Sequence, residues 1–214
     1  MKMKTCRFCD ISNGMSKSPA DTIFAHNDNY FAISSVGALV EGWSLIVPRK
    51  HCCSMKNIYA DKSFIEFSNT IVKALKDCYG PIIAFEHGPN KEGSETSCGT
   101  DHAHIHLVPY HSIASLLDNT GLNWQACYSN EVNDIVGNNE YLFYVEINET
   151  LEKSVGRVHI LEKPISQFFR RIIADDLGIS EKYNYKVNPD TELTFRTIEG
   201  MVPYFIEKNG GGNV

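Results

Sequence analysis

Residues 100–111 read TDHAHIHLVPYH. Four histidines fall within this stretch, and three of them, His102, His104 and His106, occupy alternate positions. In an extended strand, alternate side chains point to opposite faces. Ala103, Ile105 and Leu107 then enter a core, while His102, His104, His106 and Val108 line the other face. Residues on one face of a strand stand about 7 Å apart, so the three imidazoles form a row able to contact one extended anionic ligand. A solvated histidine-rich strand or a fortuitous metal site is the bland alternative. Three histidines in register, after a Gly-rich loop and inside an apolar strand, argue against it.

The rest of the chain fits around this strand. With 214 residues and 43% hydrophobic content, it is long enough for a core built by one domain with an extension, or by two small domains. The formal net charge of −6 gives no global basic field for long nucleic acid. No apolar run follows the basic start MKMKTCRFCD, so no secretory signal is expected. Nor does any window approach the roughly 18 apolar residues of a membrane span. Seven cysteines, an odd number, suggest thiols or metal ligands in a reducing compartment. A cytoplasmic protein is expected.

Strands are expected at Asp21–His26, Tyr30–Ser34, Trp43–Val47, Ile82–Phe85, His102–Val108, Tyr141–Ile147 and Val155–Leu161. Phe64, Ile65, Phe67, Ser68, Ile71, Val72 and Leu75 follow helical spacing within Asp61–Tyr79, and Gly80-Pro81 stops that run. A second helix is expected over Ser166–Leu177, capped by Ser166 and ended by Gly178. Gly88–Gly99 reads as a flexible loop, and GGGNV (210–214) as a loose tail. This order predicts an α+β fold, with a mostly antiparallel sheet, a packing helix and a mixed α/β C-terminal extension.

His102-Ala-His104-Ile-His106-Leu-Val resembles the His-φ-His-φ-His-φ-φ signature of the histidine-triad (HIT) superfamily. Two upstream segments extend the resemblance. CRFCDISNG (Cys6–Gly14) is similar to the Cys-x-x-Cys segment of zinc-containing members. GWSLIVPRKH (Gly42–His51) is similar to the family's Gly-x-x-x-φ-φ-Pro-x-x-His segment. The resemblance implies a HIT-like catalytic core over 1–111, with 112–214 packed on it as an extension or continuous with it.

It also implies roles. The middle histidine, His104, is the family's nucleophile, attacking the α-phosphorus of a nucleotide conjugate to give a nucleotidyl-histidine that water then cleaves. His106 contacts the phosphoryl oxygens or the leaving group. Cys6, Cys9, His51 and His102 form the implied set of ligands for a structural zinc. Cys53 remains a rival ligand to its neighbours, since adjacent residues of an extended segment point opposite ways, and Cys52 is a lesser one. Transferase branches carry Gln at the third triad position. His106 there resembles the hydrolase branches, acting on nucleotidyl phosphoanhydride or phosphoramidate bonds.

The chain also departs from the family. Many members carry Asn-x-Gly and Gly-Gln-Ser/Thr ahead of the triad. Here Phe85-Glu86-His87-Gly88 and Ser97-Cys98-Gly99-Thr100-Asp101 stand instead. His87 then replaces the Asn as a phosphate contact, or is an exposed loop histidine. Ser97, Gly99 and Thr100 are phosphate contacts by position, since such loops bind anions through backbone donors. Glu86 and Asp101 are expected near the site, where they disfavour extra anionic charge unless paired. Arg170 and Arg171 are able to reach a phosphate, but an Arg-Arg pair on a packing helix is read here as solvated.

A small nucleotide is the expected partner, with neither a membrane nor long nucleic acid; a homodimer stays open. Two other functions remain: a nucleotidyltransferase or phosphorylase of the same superfamily, and a non-catalytic nucleotide- or RNA-binding module. Base and leaving group are not fixed by these residues.

Overall fold

The histidine-bearing segment lies near the middle of one eight-stranded antiparallel sheet. The computed structural model describes residues 6–189 and 191–208; the Gly-rich tail lies outside them. In chain order the elements are helix α1 (Arg7–Ser12), strands β1 (Ile23–His26), β2 (Tyr30–Ser34) and β3 (Ser44–Pro48), helix α2 (Lys62–Tyr79), and strands β4 (Ile82–Gly88) and β5 (Ile105–Pro109). Then come α3 (Ala114–Asp118), β6 (Gln125–Cys127), α4 (Val132–Val136), β7 (Tyr141–Ile147), β8 (Gly156–Ile160), α5 (Phe168–Asp176) and α6 (Glu192–Lys208). The strand order is β1-β2-β3-β5-β4-β7-β8-β6. β7 pairs with β4 along its whole length, from Ile82 opposite Ile147 to Gly88 opposite Tyr141. The sheet therefore runs across residue 111 without interruption. Among the described residues, no helix is long and apolar enough to cross a membrane.

Helices cover both faces of the sheet, which is why β2, β3 and β4 are buried along their length instead of alternating with solvent. On one face α2 buries Phe64, Phe67, Ile71 and Leu75 against Ala84, Ile105, Leu107 and Phe143. Each such side chain is worth roughly 1.5–3 kcal/mol on leaving water. The Asp61 carboxylate starts α2 by accepting the Phe64 N–H at 2.9 Å, and Gly80, at φ +89°, ends it. On the other face, α5 lays Phe169 and Ile173 over Trp43, Phe85 and Tyr144.

The structure corrects four expectations. β5 begins at Ile105, so His102 and His104 precede the paired strand. The ladder with β3 ends at Ile46 opposite Ile105; farther along β3, Pro48 has no N–H to give, and its carbonyl accepts from the His102 ring. The alternation of faces survives: Ala103, Ile105 and Leu107 join the α2 core, and Val108 joins the opposite one. Second, α5 begins at Phe168, and Ser166 does not cap it. Its N-cap is Gln167, left-handed at φ +55°, whose N–H points to the Cys98 Sγ at 3.1 Å. Third, Gly88–Gly99 is not loop throughout: Gly88 ends β4, and a 3₁₀ turn forms at Glu95–Ser97. Thr96 is buried there, its hydroxyl on the Glu140 carboxylate at 2.5 Å. Fourth, Glu86 turns away from the histidine face. It is buried under α2, where it accepts from the Tyr59 and Tyr141 hydroxyls (2.6 and 2.5 Å) and the Met55 N–H (2.6 Å).

Candidate active site and metal centre

The histidine row owes its chemistry to three hydrogen bonds that fix three tautomers. A backbone carbonyl only accepts. The His104 Nδ1 lies 2.8 Å from the His102 carbonyl oxygen, so Nδ1 carries the proton and Nε2 keeps a free lone pair. The indole of Trp43 donates from Nε1 to the His106 Nδ1 at 2.9 Å, so a neutral His106 carries its proton on Nε2. His102 donates from Nε2 to the Pro48 carbonyl at 2.7 Å, which leaves Nδ1 as a donor atom for a metal.

Burial keeps these rings neutral. Desolvation lowers the His104 pKa, and it lowers that of His106 well below the ordinary histidine value, assisted by His104, His87 and Arg170. The rings are held by aromatic neighbours. His106 stacks on Phe85 with centroids 4.6 Å apart, and Phe85 stacks on Phe169 at 4.6 Å. Phe8 of α1 meets His102 and His104 edge-on, at 5.7 and 5.3 Å. The His104 and His106 rings stand 4.9 Å apart.

At the head of the row, Cys6, Cys9, His51 and His102 bring one donor atom each within 4.8 Å of one another. Cys6 is the N-cap residue of α1 and Cys9 lies in its first turn, so the Cys-x-x-Cys spacing turns both sulfurs the same way. The Cys6 Sγ lies 3.2 Å from the His102 Nδ1, and the Cys9 Sγ lies 3.4 Å from the His51 Nδ1 and 3.6 Å from the His102 Nδ1. Sulfur and nitrogen ligands of one tetrahedral zinc sit about 3.6 Å apart. Both imidazoles have their far nitrogen occupied, His102 by Pro48 and His51 by Glu92 at 3.3 Å, the outer contacts that orient metal-binding histidines. The four residues can therefore hold a metal ion, and two thiolates with two imidazoles suit zinc. Cys53 is not in this cluster, and Cys52 packs against the α2 core.

His104 and His106 open onto a cavity of about 500 Å³, which also reaches His87, Ser97 and Thr100. His87 is no exposed loop residue. It lies on β4, only 9% exposed, and its Nε2 has no hydrogen-bond partner among the described residues. Burial, with His104 and Arg170 nearby, lowers its pKa to about 3. Ser97 is turned inward, its hydroxyl on the Ser94 carbonyl (2.7 Å) and the Asp101 carboxylate (2.9 Å). Asp101 is thereby taken up by the loop, where it also accepts from the Gly93 N–H at 3.0 Å. Gly99 lines an adjacent cleft together with Thr100 and with Cys6 and His51 of the Cys/His cluster. His111, the fourth histidine of the opening stretch, is exposed and pairs with Asp176 at 3.0 Å.

Sequence reasoning set Arg170 aside as solvated and missed Tyr185 and Lys186, which together wall the cavity opposite the row. Arg170, Tyr185 and Lys186, from the C-terminal part, face the same cavity. Arg170 is 4% exposed and lies over the Trp43 ring at 5.0 Å, so the expectation of a solvated pair fails for it. Its position on the apolar side of α5, among Phe169 and Ile173, was the available signal. Nothing in the sequence near Tyr185 marked that loop. Arg7, a further cation of the wall, is paired with Asp21.

No family model matches the chain, and no curated protein matches it. Among solved structures it is similar to a histidine triad protein from Clostridium difficile (21% identity, 52% of this chain and 96% of that one, TM-score 0.39). It is also similar to a HIT family hydrolase from Clostridium thermocellum (20% identity, 52% and 96%, TM-score 0.38). A HIT family protein from Bacillus anthracis shows 19% identity over 62% and 92% of the two chains, with a TM-score of 0.40. In its row of three histidines and in the Cys/His cluster at the head of that row, the chain resembles the histidine-triad superfamily in a zinc-binding form.

Proposed function

We propose that the chain is a HIT-type nucleotide hydrolase, which cleaves a nucleotide conjugate at its α-phosphate through a nucleotidyl-histidine intermediate. The observation that carries this reading is the opposed pair of tautomers: a free Nε2 lone pair on His104 and an Nε2–H on His106, on rings 4.9 Å apart. One is a nucleophile and the other a hydrogen-bond donor.

In the first step the His104 Nε2 forms a bond to phosphorus, and the bond from phosphorus to the leaving group breaks. The ring becomes a cation, and the His102 carbonyl, already bonded to Nδ1–H, stabilises that charge. The His106 Nε2–H donates to a non-bridging phosphoryl oxygen. In the second step water attacks phosphorus and gives up a proton, which balances the one the leaving group takes from solvent on departing; the P–N bond breaks, and His104 regains its lone pair. His87, with a free Nε2 in the same cavity, and Thr100 are the further substrate contacts, whereas the Ser97 hydroxyl and the Gly99 backbone act by shaping the loop. Cys6, Cys9, His51 and His102 would hold zinc, which when bound cross-links α1 to the segment that carries His104.

Turnover tests this. Nucleoside phosphoramidates and dinucleoside polyphosphates are to be incubated with the protein, with and without added inorganic phosphate, and the products separated. Nucleoside monophosphate formed without phosphate, and lost in His104→Ala, supports the hydrolase. Product formed only with added phosphate points to a phosphorylase instead, and nucleotide binding without turnover points to a binding module.

A further inference from the structure

Arg170 is a buried cation that pairs with no anion among the described residues. It is 4% exposed, and the groups that receive its protons are neutral: the Tyr183 carbonyl from Nε at 2.8 Å and the Gly37 carbonyl from a terminal nitrogen at 2.6 Å. No carboxylate among the described residues forms an ion pair with it. Two carbonyls satisfy hydrogen bonds but leave the charge uncompensated, and a buried unpaired charge is costly. The guanidinium sits between the rings of Trp43 (5.0 Å) and Tyr185 (5.6 Å) and forms part of the wall of the cavity that holds His104.

A second cation reaches the same wall. Lys186 lies over the loop that leads to the histidine row: a Cβ placed on Gly99 would come within 2.6 Å of its Nζ. Gly99 itself, at φ +92°, holds a left-handed backbone that favours glycine. The Tyr185 hydroxyl donates to the Cys98 carbonyl at 2.9 Å and ties this segment to that loop. Among the described residues, the Asp21 carboxylate of the same wall is paired with Arg7.

We infer that Arg170 and Lys186 form a subsite for a second phosphoryl group of the substrate, beside the phosphoryl group that His104 attacks. This rests on the hydrolase reading for the place of the first phosphate, and it deepens that reading. The C-terminal residues then select a conjugate carrying two phosphoryl groups over one whose leaving group is an uncharged amine. The second group is either the leaving phosphate of an anhydride or a phosphate elsewhere on the nucleotide.

Calorimetric titration of the zinc-loaded full chain separates these sources. The ligands are inorganic phosphate, pyrophosphate, AMP, ADP and adenosine 3′,5′-bisphosphate, and the proteins are wild type, Lys186→Met and Arg170→Gln. The expected result is that at least one doubly phosphorylated ligand binds ten- to a hundredfold tighter than its singly phosphorylated counterpart, as charge-assisted hydrogen bonds allow. ADP and pyrophosphate favoured together place the second group in an anhydride; the 3′,5′-bisphosphate favoured alone places it on the nucleoside. Lys186→Met, an exposed change that leaves the core intact, cuts the advantage to less than about threefold. Arg170→Gln does the same where it folds, and Lys186→Met decides where it does not. The inference is overturned if no doubly phosphorylated ligand gains on its counterpart, or if the gain persists unchanged in Lys186→Met. A gain that depends on Lys186 in a protein without turnover leaves the subsite standing and removes the hydrolase reading.

Discussion

The Trp43 indole donates to the Nδ1 of His106 at 2.9 Å, across two neighbouring strands and out of reach of solvent. This one bond decides which nitrogen of His106 faces the ligand. Trp43→Phe keeps the packing against Phe85 and deletes the donor. The buried Nδ1 is left unsatisfied, at about 1–3 kcal/mol, and the ring is free to take the other tautomer. The expected outcome is a folded protein whose kcat falls about ten- to a hundredfold. Steady-state kinetics read the loss, and nitrogen-15 spectra of the imidazoles read the tautomer.

The metal cluster makes a separate prediction. Cys9→Ser removes one of the four donors and is expected to lower bound zinc from one ion per chain to a small fraction of that, with a lower Tm, because a structural ion contributes folding free energy outright. Cys53→Ser is expected to leave zinc content unchanged, since Cys53 lies outside the cluster. Elemental mass spectrometry of the purified variants checks both. Full zinc in Cys9→Ser, or loss of zinc in Cys53→Ser, would contradict the assignment.

Acid stability follows from His87. Its folded pKa lies near 3, below the ordinary 6.5, so the unfolded chain takes up a proton between these values and the folded chain does not. Its stability contribution is complete above pH 6.5 and is lost as the pH falls toward 3. His106, lowered in the same direction, adds to the loss. From pH 7.5 to pH 5, His87 alone accounts for about 2 kcal/mol. Urea unfolding at these two pH values, for wild type and His87→Asn, is expected to show the wild type losing more stability than the variant.

Phe169 links the C-terminal part to the histidine face by stacking on Phe85, which stacks on His106. Phe169→Ala is expected to cost about 3–5 kcal/mol in stability and to loosen the His106 ring. Phe169→Leu, which keeps more of the volume, is expected to recover most of the stability but less of the activity. Denaturant midpoints and kcat, measured together, test the pair.

Much of this site was legible in the sequence because it is local. Alternating histidines define a face through strand periodicity alone, and the Cys-x-x-Cys spacing of Cys6 and Cys9 suits one metal, although helix α1, which carries Cys9, was not anticipated. The bounds of β2 and β7 followed from apolar runs between turn residues. What escaped depends on distant contacts. Pro48 ends the ladder and leaves His102 and His104 outside β5. The Cys98 sulfur holds Gln167 in a left-handed conformation, so α5 starts later than Ser166 suggests. α6 was hidden by Gly200 and Pro203 within it, residues that count against a helix unless packing compensates. Glu86 looked like part of the site from its place beside His87, but neighbours on a strand face opposite ways. The site's cationic wall comes from residues 170–186, far from the histidines in sequence.

In the proposed reaction His104 is the nucleophile. Intact-protein mass spectrometry after brief mixing with adenosine phosphoramidate or a diadenosine polyphosphate tests it most directly, on zinc-loaded wild type and His104→Ala. A transient gain of one nucleotidyl group is expected in wild type and none in His104→Ala. An adduct that persists in His104→Ala, or turnover in wild type without any adduct, would contradict it.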